Sequence, residues 1–63
     1  MNDRLITIRE VQDMIGFKSD YIYRNIKKNQ FPKQIKVGSK SSRWRLSDIQ
    51  KWIESQANDA IEV

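Results

Sequence analysis

Cysteine and histidine are both missing from this chain of 63 residues. Without cysteine, no disulfide can staple the fold. Without either residue there is no Cys/His zinc site and no Ser-His or Cys-His catalytic pair. No cluster of carboxylates takes their place. No catalytic constellation, metal site or cofactor site is therefore expected, and the chain reads as something other than an enzyme. Long hydrophobic runs are also lacking. The longest, counting glycine as apolar, is Met14-Ile15-Gly16-Phe17. A membrane-spanning helix needs about 20 apolar residues and an export signal an apolar core of about 7 to 15. The expectation is a cytoplasmic protein with no membrane partner. A chain below roughly 70 to 80 residues has a marginal core, so packing and helix caps must hold this one together.

What the chain does have is charge, unevenly placed. Twelve Lys and Arg oppose eight Asp and Glu, for a net +4. Residues 1–17 carry −1 and residues 46–63 carry −3. Residues 18–45 carry +8: Lys18, Arg24, Lys27, Lys28, Lys33, Lys36, Lys40, Arg43 and Arg45 against Asp20 alone. Lys and Arg are mostly solvated whatever a protein does. A block this concentrated is nevertheless the electrostatic footprint of a polyanion binder.

The elements can be read in order. Thr7-Ile8-Arg9-Glu10 is a capping box, with Ile6 and Val11 placed as a hydrophobic staple. Ile8, Val11 and Ile15 recur at helical spacing, and Gly16 stands where a left-handed terminator is wanted. This predicts a helix over 8–15. Ser19 is the expected N-cap of a second helix, with Asp20 in its first turn. Ile22 and Ile26 point inward, Asn29 ends the helix, and Pro32 cannot continue it. Phe31 is expected beneath the junction.

A hairpin follows. Ile35 and Val37 are expected to point in, with Gln34 and Lys36 out. Gly38-Ser39-Lys40-Ser41-Ser42 forms the turn. Trp44 and Leu46 point in, with Arg43 and Arg45 out. A second capping box, Ser47-Asp48-Ile49-Gln50, starts the last helix. Ile49, Trp52 and Ile53 form its inward stripe. Both tryptophans are core residues in this reading. Past Ser55 the apolar pattern fades.

The order is helix, tight turn, helix, hairpin, helix. Two helices joined by a short glycine-bearing turn form a helix-turn-helix, and the hairpin adds a wing. The expected fold is mainly α with a small β-hairpin, a winged helix-turn-helix. Residues 1–55 form the DNA-binding domain and 56–63 a flexible C-terminal tail.

With Ile22 and Ile26 inward, the second helix presents Asp20, Tyr21, Arg24, Lys27 and Lys28. Asp20, Arg24 and Lys27 share one stripe. The N-terminal part of such a helix reads base edges in the major groove. Arg24 is the leading candidate, because a guanidinium pairs bidentately with guanine O6 and N7. Asp20 either accepts from cytosine N4 or orients Arg24 through an ion pair. Tyr21 is a phosphate or base contact. Tyr23 packs its ring partly on the core with its hydroxyl at the backbone of the duplex. Lys27 and Lys28 neutralise phosphates, which position without specifying, and Lys18 belongs to the same DNA-binding set. The Ser19 hydroxyl also faces a phosphate. Lys40, Ser41, Ser42, Arg43 and Arg45 form the wing's contact set, reaching phosphates or the minor groove.

These residues resemble a known family. Ile6-Thr7-Ile8-Arg9-Glu10-Val11, Gly16, Tyr23-Arg24, Phe31-Pro32-Lys33, Ile35-Lys36-Val37-Gly38, Trp44-Arg45, Ser47-Asp48-Ile49 and Trp52-Ile53 are similar in order and spacing to the AlpA-type prophage regulators. Those are in turn similar to phage excisionases and to MerR-type DNA-binding domains. The resemblance covers roughly residues 4–54. It implies a double-stranded DNA binder of mobile-element type, acting as transcription regulator, excision factor or both. Integrase, or further copies of the chain bound cooperatively, are the implied protein partners. Two departures stand out. Many relatives have Ser before Arg or Lys where this chain has Lys18-Ser19, so the N-cap can shift by a residue. Many also have small hydroxyl residues where this chain has Asp20 and Tyr21, so their base preference does not transfer. The competing reading is a protein-interaction module that inhibits or recruits a host or integrase protein.

Overall fold

The computed structural model describes residues 3–61. In chain order they form β1 (Leu5–Ile6), α1 (Ile8–Ile15), α2 (Ser19–Lys27), β2 (Ile35–Val37), β3 (Ser41–Arg45) and α3 (Leu46–Ile61). The three strands make one antiparallel sheet in the order β1-β3-β2. Three helices around a small sheet give the mainly α, winged helix-turn-helix architecture expected from the sequence.

The capping box of α1 closes. The Glu10 amide donates to Thr7 Oγ1 at 3.2 Å, and the Thr7 amide donates to Glu10 Oε1 at 3.0 Å. At the other end Gly16 adopts φ 78°, and its amide returns to the Gln12 carbonyl at 2.8 Å. Glycine meets no steric cost in that left-handed conformation. The turn to α2 is thus only Gly16-Phe17-Lys18.

α2 begins one residue earlier than expected. Its N-cap is Lys18, with no side-chain hydrogen bond, and Ser19 is the first helical residue. Ile22 must be buried, and with Gly16 already turning the chain, only Phe17 and Lys18 remain to span the gap. Asn29 terminates the helix as expected, adopting φ 59° just past the C-cap Lys28. The Asn29 amide donates to the Ile26 carbonyl at 3.0 Å and the Gln30 amide to the Asn25 carbonyl at 2.8 Å, a Schellman closure.

β1 is an addition. Two residues carry no alternation that could announce a strand. They pair with β3 in the register Leu5↔Arg45 and Ile6↔Trp44. The hairpin also differs from expectation. Its loop is Gly38-Ser39-Lys40 only, and Ser41 and Ser42 belong to β3. Register pairs Ile35 with Arg43 and Val37 with Ser41. Directly opposed residues share a face, so Ile35 and Val37 lie on the arginine face, away from Trp44. Val37 is accordingly 43% exposed and Ile35 only half-buried.

The core is Ile6, Val11, Ile22, Phe31, Trp44 and Ile49, one residue each from β1, α1, α2, the α2–β2 connector, β3 and α3. Ile8, Ile15, Tyr21, Ile26, Leu46, Trp52 and Ile53 pack around it. Both tryptophans hold the connector. Trp44 Nε1 donates to the Pro32 carbonyl at 3.0 Å, and Trp52 Nε1 to the Gln30 carbonyl at 2.9 Å. The Phe31 and Trp52 rings meet edge-on at 4.8 Å.

α3 starts at Leu46 rather than after Ser47, and its expected capping box is replaced. The Ser47 amide and hydroxyl both donate to the Asp3 carboxylate, at 3.1 and 3.0 Å. The Leu46 amide donates to the Arg4 carbonyl at 2.8 Å. α3 also continues past Ser55 to Ile61, where the fading apolar pattern led us to expect the helix to fray. Glu54, Gln56 and Ala57 are good helix formers, and an established helix propagates easily. The end of the expected tail, residues 62–63, lies outside the described residues.

Candidate nucleic-acid interface

The outward face of α2 follows from its inward one. With Ile22 buried and Ile26 packed on the core, Asp20, Tyr23, Arg24 and Lys27 come together around one shallow surface depression. All four are exposed. Among the described residues the one ion pair is Arg4–Glu10 at 3.4 Å. Asp20 and Arg24 are therefore not paired in the free protein. Asp20 still sits well in the first turn, as Arg24 and Lys27 do in the last, since each complements the helix dipole. Lys28, the C-cap, is exposed beyond them.

Tyr23 is 38% exposed, and its ring lies 6.3 Å from the Trp44 ring at a tilt of 53°. This is the expected half-packed position, on the flank of α2 nearest the hairpin. Tyr21 departs from expectation. It is half-buried, packs against the core, and stacks on Phe17 with ring centroids 4.1 Å apart. It lines an open groove between α2 and α3 with Asn25, Phe31 and Trp52. Two inward isoleucines understate the width of the packed face, and the neighbouring Phe17 draws Tyr21 toward it. Ser19 is half-buried at the helix start, and Lys18 is exposed.

In the hairpin, Lys40 is exposed at the tip and Arg45 at the base. Ser41, Ser42 and Arg43 are half-buried in β3 rather than displayed on a loop. The Arg43 guanidinium donates to the Ser42 carbonyl at 2.9 Å. Its charge also reaches Glu10. That carboxyl lies below its ordinary value of 4.5, first because the Thr7 amide donates to it, then through the Thr7 hydroxyl and the charges of Arg4 and Arg43.

Three exposed side chains were not singled out from the sequence. Lys33 precedes the hairpin and Lys36 lies in its first strand; both belong to the basic block, but nothing sets them apart within it. Phe17 sits in the turn before α2, where an apolar residue reads as core. Among the described residues no three His, Cys, Asp or Glu come close enough to hold a metal ion. No helix of the described residues is long and apolar enough to cross a membrane.

Comparison with known proteins places the sequence in a family. A family model described as "Prophage CP4-57 regulatory protein (AlpA)" matches residues 4–57. The chain is 31% identical over 51 residues to "Uncharacterized protein ORF88" of Enterobacteria phage P4, a match covering 81% of this chain and 58% of that protein. The chain thus spans little more than half the length of this relative. No solved structure matches it significantly. The family match runs from just before the strand that opens the sheet to Ala57, in the last third of α3, and on that ground the chain belongs to the AlpA family of prophage regulatory proteins.

Proposed function

We propose that this protein binds double-stranded DNA in a sequence-specific manner, with α2 in the major groove and the hairpin as a wing. Residues 1–55 form the binding domain, working in the cytoplasm on the nucleoid. It acts on transcription, on excision of a mobile element, or on both. The observation that carries this reading is one face of α2. Arg24, Lys27 and Lys28 are exposed there and in no ion pair among the described residues, beside a hairpin bearing Lys36, Lys40 and Arg45. Arg24 pairs with guanine, Asp20 accepts from cytosine N4, and Lys18, Lys27, Lys28 and Lys40 neutralise phosphates. Tyr23 and Ser19 contact the sugar-phosphate backbone, and Arg43 and Arg45 flank it along the wing.

Affinity should fall with salt, at a log–log slope of about −0.9 per phosphate contact. Arg24→Ala should weaken binding to a mapped site by about 1–3 kcal/mol and relax specificity at one base pair, whereas Lys27→Ala should weaken all sequences alike. Equal affinity of wild type and Arg24→Ala for that site, in gel-shift titrations, would overturn the assignment. Footprinting on DNA flanking the gene separates the two roles. Several adjacent sites indicate excision with integrase or cooperative self-association, and a single promoter site indicates transcription control.

A second reading has its own observation, the aromatic-lined groove between α2 and α3. It is a protein-interaction module that inhibits or recruits a host or integrase protein. Charge reversal at Lys27, Lys28 and Arg43 separates the two: a partner still bound, with duplex DNA ignored by the wild type even at low salt, would favour the module.

A further inference from the structure

Phe17 is a large side chain that the DNA-binding reading leaves without a task. It sits in the turn just before the N-cap Lys18, and 47% of it is exposed. Single exposed apolar residues are ordinary. This one is held in place. Its ring stacks on Tyr21 at 4.1 Å with an interplanar angle of 14°. Tyr21 is itself braced: it packs against the core, and its carbonyl accepts from the Asn25 amide group at 2.7 Å. A half-exposed ring is thus backed by a second ring anchored in the fold.

Its position gives this ring a direction. Three residues along a helix turn through about 300°, so Tyr21 and Arg24 lie about 60° apart around α2. The stack therefore borders the Asp20, Arg24 and Lys27 face on one flank. Tyr23, beside Trp44, borders it on the other. The charge beside the stack in the chain, Lys18, is positive and exposed, as a polyanion's surface requires. Apolar contact with the C5-methyl of thymine is a sequence-reading contact of the major groove.

We propose that Phe17 is a specificity-determining residue, whose ring, backed by Tyr21, packs on the methyl group of a thymine neighbouring the base pair read by Arg24. This rests on the DNA-binding reading above. It adds an apolar contact beside the charged residues Asp20, Arg24 and Lys27.

The test removes one methyl at a time. A duplex selected by the full chain from a random-sequence pool is resynthesised with uracil replacing each thymine in turn. The wild type should lose about 4-fold in affinity at one position, the worth of one buried methyl group. Phe17→Ala should bind the unmodified duplex at least that much more weakly and be indifferent to uracil at that position. Phe17→Leu should keep most of the discrimination. Circular dichroism melting shows that both variants are folded. A flat uracil scan by the wild type overturns the thymine contact while leaving DNA binding intact. So does Phe17→Ala that keeps full DNA affinity, including one that loses only a protein partner. If the wild type shows no salt-dependent duplex binding at all, both this inference and the function beneath it fall.

Discussion

The starts of α1 and α3 carry the same local pattern and are finished in different ways. Thr7-Ile8-Arg9-Glu10 and Ser47-Asp48-Ile49-Gln50 both spell a capping box. At α1 the box closes on itself. At α3 the acceptor is a carboxylate from 44 positions upstream. The sheet register explains this. Continuing the pairing of Leu5 with Arg45 places Arg4 opposite Leu46 and Asp3 opposite Ser47. A carboxylate accepts more strongly than the neutral Gln50 amide that the local box would offer Ser47, so the long-range partner wins wherever the fold delivers it. A capping pattern therefore states a need for an acceptor, and topology decides which acceptor meets it.

That contrast can be broken in a graded series, each step read by chemical denaturation. Thr7→Ala should have the largest effect, about 1–2 kcal/mol, because it strips a part-buried box of its hydroxyl. Asp3→Ala should follow at about 1 kcal/mol. Amide exchange should locate its damage at Ser47 while α1 stays protected. An unchanged α3 would mean that the local box takes over when Asp3 is gone. Glu10→Gln should come next and should be visible in acid. Glu10's folded value lies below 4.5, so the stability it contributes is fully present above that value and fades as pH falls through the folded one. The wild type should accordingly lose stability below about pH 4.5, and the variant should lose less over the same range. Gln50→Ala should be the smallest, within about 0.5 kcal/mol, since Asp3 occupies the role Gln50's box would fill.

The same division between local and delivered structure decides what could be read in advance. α1 was legible in full, because its cap, stripe and glycine terminator lie within ten consecutive residues. The end of α2 was legible from Asn29 and Pro32. Its start slipped by a residue because Ser19 competes with its own neighbours for a place in a very short turn. β1 was invisible, since a two-residue strand has meaning only against β3. Through β1, the true cap of α3 was invisible too.

On the candidate interface, the stripe of Asp20, Arg24 and Lys27 follows from helical spacing and is where the sequence places it. Tyr21 is not, because its position depends on stacking with Phe17 across the turn. Ile35 and Val37 were assigned inward by alternation alone. Alternation sets which residues share a face but not which face meets the core, and the register with Arg43 settles that.

The two tryptophan bonds to the Gln30–Pro32 connector have a mechanical consequence. The connector joins the helix proposed to enter the major groove to the hairpin proposed to flank it. Trp52 pins one end of it and Trp44 the other, and the Pro32 carbonyl cannot shift without stranding the indole N–H of the buried Trp44. Helix and hairpin thus behave as the jaws of a caliper locked at one setting. In the proposed complex, a duplex whose groove does not match that setting must itself bend or widen. The protein then selects sites partly by how easily they deform.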